Sequence, residues 1–326
     1  MDDTLTPVSP ITIDAIERAR VRVRETIVRT PLVKLETGAS RPEIYLKLEN
    51  LQPINSFKLR GAANAVAALS PKRRALGVWT ISAGNAGQGV AYAARKAGIP
   101  CTVVTIETAP ETKVERMTAL GARLVKASFD ACWEAMERRT FPGVAGTFVH
   151  PFDDDDFIAG NATMGLEIVE DLPEVATIIT AMGGGGLITG VAAAVRARKP
   201  NVTIYCAEPE TAAPAALSFA AGKAMAFPQW QATFIDGAGG KSVFPRMWER
   251  IRDVVDGSIV VSLDETKRAM RVLAEKSRVI AEGAGALAVA AALSGKAGAG
   301  PIVAVVSGGN IELTTFCQLI STVTVA

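Results

Sequence analysis

The sequence contains one histidine, three tyrosines and only 6% aromatic residues. A lone His150 cannot build a multi-histidine metal site, and no GxSxG turn accompanies it to supply the nucleophile of an esterase triad. Thr147 to His150 reads as a strand with the imidazole at its end, so His150 is given no part in the chemistry. The four cysteines, Cys101, Cys132, Cys206 and Cys317, lie far apart with no CxxC pair. That spacing argues against a structural zinc site or a disulfide framework and fits a reducing cytoplasm. Neither sign of charge dominates: 35 Lys and Arg against 33 Asp and Glu leave a net charge of +2, too little to attract nucleic acid or an anionic membrane. Long apolar runs are missing too. Val175 to Met182 ends in glycines, far short of the roughly 20 residues that cross a bilayer. The opening MDDTLTPVSP has acids and prolines where an export signal needs a basic patch and an apolar stretch. These absences lead to the expectation of a soluble, cytoplasmic protein that acts on small molecules.

What is present is an enzyme-sized chain of 326 residues, 49% hydrophobic and 21% charged, with material for about two domains at roughly 150 residues each. Ile44 to Leu48 reads as a short strand, followed by the turn-rich ENLQPINS and a helix from about Phe57 to Leu69, with Asn55 or Ser56 placed to cap it. A βα alternation follows: strand Val78 to Ile81, helix Ala86 to Ala97, strand Cys101 to Ile106, helix Pro110 to Leu120, strand Arg123 to Lys126 and a helix near Asp130 to Arg139. Such spacing implies a parallel sheet. The acidic stretch Asp153 to Asp156 lacks the DxDxDG calcium pattern and reads as an exposed, helix-capping loop. A second series runs through strand Thr177 to Met182, a glycine loop, helix Leu187 to Arg198 and strand Val202 to Ala207, whereas Phe219 to Asp256 gives no simple pattern.

Two features carry chemistry. Gly183, Gly184, Gly185 and Gly186 lie between an apolar strand and a helix, so bare N–H groups converge where the helix dipole favours an anion, as a phosphate site requires. A dinucleotide-binding loop is the competitor, with Glu208 ending the next strand as the ribose-binding acid; against it, no spaced GxGxxG is present, Ile188 or Thr189 replacing the third glycine. Lys58, in the first turn of its helix between Phe57 and Leu59, has an amine that the dipole and partial burial make easier to deprotonate. A neutral amine is the form that condenses with a carbonyl.

The segment ENLQPINSFKLRGAANAV resembles the lysine segment of pyridoxal-phosphate enzymes of fold type II, in particular the serine/threonine dehydratase and serine racemase branch. Ser82 to Gln88 (SAGNAGQ), Gly183 to Gly186 and Ser307 to Asn310 (SGGN) follow in the family's order. The resemblance implies an α/β fold of two lobes, each with a mainly parallel sheet flanked by helices. It places a small domain at 69–148 and a large cofactor-binding domain in 1–68 and 149–326. It implies pyridoxal 5'-phosphate joined to Lys58, with Phe57 and Asn85 at its ring, Gly183 to Gly186 and Leu187 at its phosphate, Ser307 at its pyridine nitrogen and Glu282 near the ring. Ser82, Ala83, Gly84, Asn85 and Ala86 would receive the substrate carboxylate. The implied reaction is dehydration and deamination of a β-hydroxy amino acid, L-threonine to 2-oxobutanoate or L-serine to pyruvate, with ammonia released and Lys58 as general base.

Two departures modify these expectations. Ala86 stands where many relatives have a histidine, which enlarges the pocket and keeps phenylserine, 3-hydroxyaspartate and a lyase of hydroxyectoine breakdown in contention. Ala83 stands where serine racemases have their proton-donating serine, which disfavours racemisation. A divalent-cation site in some relatives, magnesium or calcium, is matched by Glu208 and the Ala212 carbonyl, but Pro214 replaces its aspartate and cannot coordinate. A homodimer is implied at the family level. An appended amino-acid-sensing domain is not expected, because the chain ends soon after Asn310. The readings from other classes are a nucleotide-binding oxidoreductase and a non-catalytic binding protein.

Overall fold

The structure, a computed structural model, describes residues 7–37, 42–109 and 111–324. Its strands are β1 (Leu32–Leu35), β2 (Ile44–Leu48), β3 (Val78–Ile81), β4 (Cys101–Ile106), β5 (Arg123–Ala127), β6 (Thr147–Phe148), β7 (Thr177–Ala181), β8 (Thr203–Pro209), β9 (Gly257–Val261) and β10 (Ile302–Val306). They form a six-stranded sheet in the order β1-β2-β10-β7-β8-β9 and a four-stranded sheet in the order β5-β4-β3-β6. All neighbours are parallel except β1, which pairs antiparallel with β2. The α/β architecture with two mainly parallel, helix-flanked sheets is thus the one expected from the sequence.

Central strands of a parallel sheet are covered on both faces, so they must be apolar throughout. Both β7 and β10 are buried at every position. Alternation then divides their side chains between two cores: Ile302, Ala304 and Val306 meet the alanine-rich helix Gly283–Leu293, and Val303 and Val305 face the opposite cluster around Ile188 and Val191. In the smaller sheet, Val78 and Val103 pack on the helix Asn85–Ala97, and Trp79, Ile81 and Val104 face Cys132 and Ala135 of the helix Phe129–Arg138.

Three local expectations are corrected. Neither Asn55 nor Ser56 caps the lysine-bearing helix, which is Lys58–Ala67 with Phe57 at its N-cap and no side-chain capping bond. Asn55 has turned into the left-handed region at φ 55°, directing its amide to Asn310. The acidic stretch is not simply exposed: Asp154 caps the helix Asp155–Asp171 through the Phe157 N–H at 2.8 Å, but Asp153 is buried against Arg139 and Arg246. His150 lies beyond β6, which stops at Phe148, and is itself buried. Pro110, read as a helix start, and the opening MDDTLT lie outside the described residues; the helix is Glu111–Ala119. Among the described residues no helix is long and apolar enough to cross a membrane.

Candidate active site

In parallel sheets ligands bind beyond the carboxyl ends of the strands, where loops converge. Those ends deliver the segments singled out in the sequence: β2 leads to Lys58, β3 to Ser82, β6 to His150, β7 to Gly183 and β10 to Ser307. Backbone bonds bring the first and last together. The Phe57 N–H donates to the Ser307 carbonyl at 3.0 Å and the Gly309 N–H to the Asn55 carbonyl at 2.9 Å.

Lys58 opens its helix and is half-buried. Its Nζ donates to the Pro151 carbonyl at 2.7 Å and lies 5.3 Å and 5.5 Å from the ring centres of Phe57 and Phe157. Burial without a counter-charge lowers the amine's pKa to about 8. Two residues on, Arg60 is fully buried and anchors the helix. It makes four hydrogen bonds of 2.8 Å to carboxylates, two to Glu49 and two to Glu167. Lys47, also fully buried, adds 2.7 Å contacts to Glu167 and the Thr30 carbonyl. The helix can sit close to Asp155–Asp171 because Gly160 has no side chain: a Cβ there would stand 2.3 Å from the Arg60 carbonyl oxygen.

Across the crevice Asn85 begins the helix Asn85–Ala97, whose start has no side-chain cap and no acidic residue in its first turn. The preceding turn, Ser82 to Gly84, is half-buried, with the Gly84 N–H held by Ser82 Oγ at 3.0 Å and Ala86 buried behind it. The Asn85 amide donates to Glu282 at 2.7 Å and accepts from Asn310 at 2.8 Å, fixing its orientation. Burial, then the nearby Asp236, raises the Glu282 carboxyl to about 7. Ser307 is buried within the same group, with Oγ 3.4 Å from the Ala284 carbonyl.

The glycine loop opens the helix Gly186–Arg198, again without a side-chain cap, with Gly185 at φ 90°. Gly185, Gly186 and Leu187 are buried, and a Cβ at Gly184 would stand 2.2 Å from the Phe152 ring. Phe152 therefore covers the loop while the preceding Pro151 holds Lys58, which connects the two features through adjacent residues. Sequence reasoning passed over this connection, although the sequence HPF directly follows a strand end in a parallel sheet. His150 fixes the segment, its Nδ1 accepting from the Phe152 and Asp153 N–H groups at 3.3 Å and 2.9 Å. Burial, with Arg139 adding to it, depresses the imidazole to about 3, so it is neutral and its proton sits on Nε2. A second feature it passed over is the ion pair of Lys113 with Asp236, which hangs over the Ser82–Gly84 turn.

Glu208, considered as a metal ligand or ribose-binding acid, lies buried near the end of β8. Its carboxylate accepts from the Ala215 and Ala216 N–H groups, each at 2.8 Å, and from Ser258 Oγ at 2.7 Å, which caps the helix Pro214–Ala221. The Ala212 N–H donates to the Pro209 carbonyl at 2.9 Å, closing the intervening turn. Among the described residues no group of three or more His, Cys, Asp or Glu could hold a metal ion.

Comparison with known proteins agrees with this geometry. A family model described as pyridoxal-phosphate dependent enzyme matches residues 23–308. The L-threonine ammonia-lyase of Thermotoga maritima is 39% identical over 316 residues, covering 95% of this chain and 78% of that protein. A catabolic L-threonine dehydratase of Staphylococcus aureus is 38% identical over 321 residues, covering 95% and 92%. The solved structure of maize serine racemase superposes with a TM-score of 0.86 at 33% identity, covering 96% of this chain and 98% of that one.

Proposed function

Because the chain belongs to the pyridoxal-phosphate-dependent enzyme family, we propose that it is an ammonia-lyase of fold type II that converts L-threonine to 2-oxobutanoate and L-serine to pyruvate. The observation that carries this reading is a buried amine and an uncapped helix start joined by Pro151 and Phe152. Lys58 forms no ion pair with a carboxylate among the described residues. The two features together suit an anion that carries a carbonyl, and the absence of side chains along Gly183 to Gly186 leaves backbone N–H groups for a phosphate. The residues present therefore fit pyridoxal phosphate. When bound, that group supplies an electron-withdrawing ring that stabilises negative charge on the substrate's Cα.

In this reading Lys58 would hold the cofactor and its amine would act as the base for the Cα proton, a task for which a pKa of about 8 suits it. The Ser82–Ala86 turn, with free helix-start N–H groups, receives the substrate carboxylate. Asn85, oriented by Glu282 and Asn310, keeps its second amide hydrogen for the cofactor ring. Ser307 would offer the pyridine nitrogen a neutral hydroxyl, which would not hold a proton there as a carboxylate would. Ala83 carries no proton to give, which favours elimination over racemisation.

The same reading assigns 69–148 to a small lobe, supported by a four-stranded sheet lying within residues 78–148. It also includes a cytoplasmic homodimer, the four free thiols fitting a reducing compartment. Ammonia and 2-oxo-acid release by the pyridoxal-phosphate-loaded protein tests the activity. Wild type is expected to turn over threonine or serine and Lys58→Ala to lose both turnover and the visible band of the attached cofactor. A Lys58→Ala protein that keeps that band would refute the assignment.

A further inference from the structure

The helix Glu111–Ala119 carries two cations three residues apart, and so on one face, Lys113 and Arg116. Both reach across the crevice: Lys113 pairs with Asp236, and the Arg116 guanidinium donates to the Asn310 side-chain oxygen at 2.6 Å. They line a cavity of about 420 Å³ whose other charged residues are Asp236, Glu282 and Glu312. The cavity adjoins the candidate active site, because Glu282 and Asn310 in its wall are the residues that hold Asn85.

The two remaining acids are engaged elsewhere. Glu282 accepts from Asn85 at 2.7 Å and Glu312 from Thr112 Oγ1 at 3.2 Å. The Lys113–Asp236 pair is unequal: the aspartate side chain is 56% exposed and the lysine side chain 20%. Water can take up the charge of Asp236 when the pair opens, whereas the more enclosed ammonium requires another anion. A place for one is at hand. Lys113 Nζ stands 3.9 Å from the point that a Cβ on Gly84 would occupy, beside the turn read as the substrate-carboxylate site. The segment Ser82 to Gln88 itself contains no cation. Without Lys113, an entering carboxylate would face Asp236 and Glu282 with only Arg116 of the cavity's cations to offset them, and that one is held at Asn310.

We propose that Lys113 is a substrate-binding residue that exchanges Asp236 for the α-carboxylate of the amino acid entering the Ser82–Gly84 turn. The proposal rests on that turn being the carboxylate site of a hydroxy-amino-acid dehydratase. Asp236 then acts as a competitor of the substrate: it keeps the ammonium over the turn and releases it when a carboxylate arrives.

The test measures ammonia release from L-serine and L-threonine by the loaded wild type, Lys113→Met, Lys113→Arg and Asp236→Ala. Lys113→Met is expected to raise KM about tenfold, the scale of one hydrogen bond between charged groups, with the loss falling on KM rather than kcat. Lys113→Arg should keep most of the affinity, and Asp236→Ala, which removes the competitor, should lower KM. A pair that only ties the two sides of the crevice together is broken by Lys113→Met and Asp236→Ala alike; KM values that rise in both variants, or stay unmoved in Lys113→Met, overturn the proposal. L-Alanine, which lacks the leaving hydroxyl, and L-alaninamide, which lacks the carboxylate, supply a readout without turnover when titrated against the visible band of the attached cofactor. Lys113→Met should weaken L-alanine about tenfold and L-alaninamide less than about twofold, and equal losses overturn the assignment. Wild type that releases no ammonia from either hydroxy amino acid overturns the dehydratase reading, and the alanine pair then decides the role of Lys113. Wild type that binds neither alanine ligand overturns both.

Discussion

Replacing Arg60 by leucine tests whether the position of the reactive amine depends on the charge cluster beneath it. Arg60 is wholly enclosed, and its four 2.8 Å bonds bind Glu49 and Glu167. Removing one partner of a buried ion pair leaves a charge with neither water nor counter-ion, at a cost of about 3–5 kcal/mol. Among the described residues Glu49 would keep Thr30 and Gln52, at 2.6 Å and 3.2 Å, and Glu167 would keep Lys47. Urea unfolding followed by circular dichroism should therefore show Arg60→Leu less stable by about that amount at pH 7. The pH dependence supplies the sharper criterion. In wild type, burial pushes the Glu167 carboxyl up, but Arg60 and Lys47 prevail and hold it below its ordinary value, so its contribution is present at neutral pH and lost as pH falls through that lowered pKa. In Arg60→Leu the guanidinium that held the Glu167 carboxyl down is gone and burial pushes it up, so acidification from pH 7 to 5 should recover stability. Adding Glu49→Gln removes one stranded charge and should recover part of the loss at pH 7. A deficit under about 1 kcal/mol, or one that does not shrink with acid, would refute the reasoning.

Two further expectations follow from the site. Because burial lowers Lys58 to about 8, the rate at which apoenzyme takes up pyridoxal phosphate should rise with pH and level off above that value, with about one amine in a hundred neutral at pH 6. Stopped-flow absorbance measures this, and a rate flat from pH 6 to 9 would contradict it. Gly184→Ala would set a methyl 2.2 Å from a ring carbon of Phe152 and displace that ring. A loss of about 1–3 kcal/mol in thermal or urea unfolding is expected, together with weaker cofactor retention on dialysis, and Phe152→Ala in the same chain should restore stability.

The sequence makes the strands legible where short β-branched runs are bounded by turn residues: Ile44 to Leu48, Val78 to Ile81 and Cys101 to Ile106 coincide with β2, β3 and β4 residue for residue. The glycine-bearing segments were legible as site candidates because a glycine cluster between a strand and a helix has few purely structural uses. Lys58, Asn85, Glu282 and Ser307 are brought into neighbouring segments. What stayed hidden depends on partners far away in the chain. Charged side chains such as Lys47, Glu49, Arg60 and Glu167 ordinarily read as surface, and only the crossing of two helices reveals that they neutralise one another inside. Asp153 misled in the same way, since its partners Arg246 and Arg250 lie in the stretch Phe219 to Asp256 that gave no simple pattern. His150 was set aside as a strand end, yet its two backbone bonds hold the segment joining lysine to glycine loop.

The site also separates what must be rigid from what can vary. The segments carrying Lys58 and Ser307 are locked to each other by main-chain hydrogen bonds, and Asn85 is clamped by Glu282 and Asn310, so their geometry depends little on exposed side chains. The helix Phe129–Arg138, which packs on β3 and β4, takes no part in those bonds. Substitutions on that helix leave the hydrogen bonds around the amine unbroken.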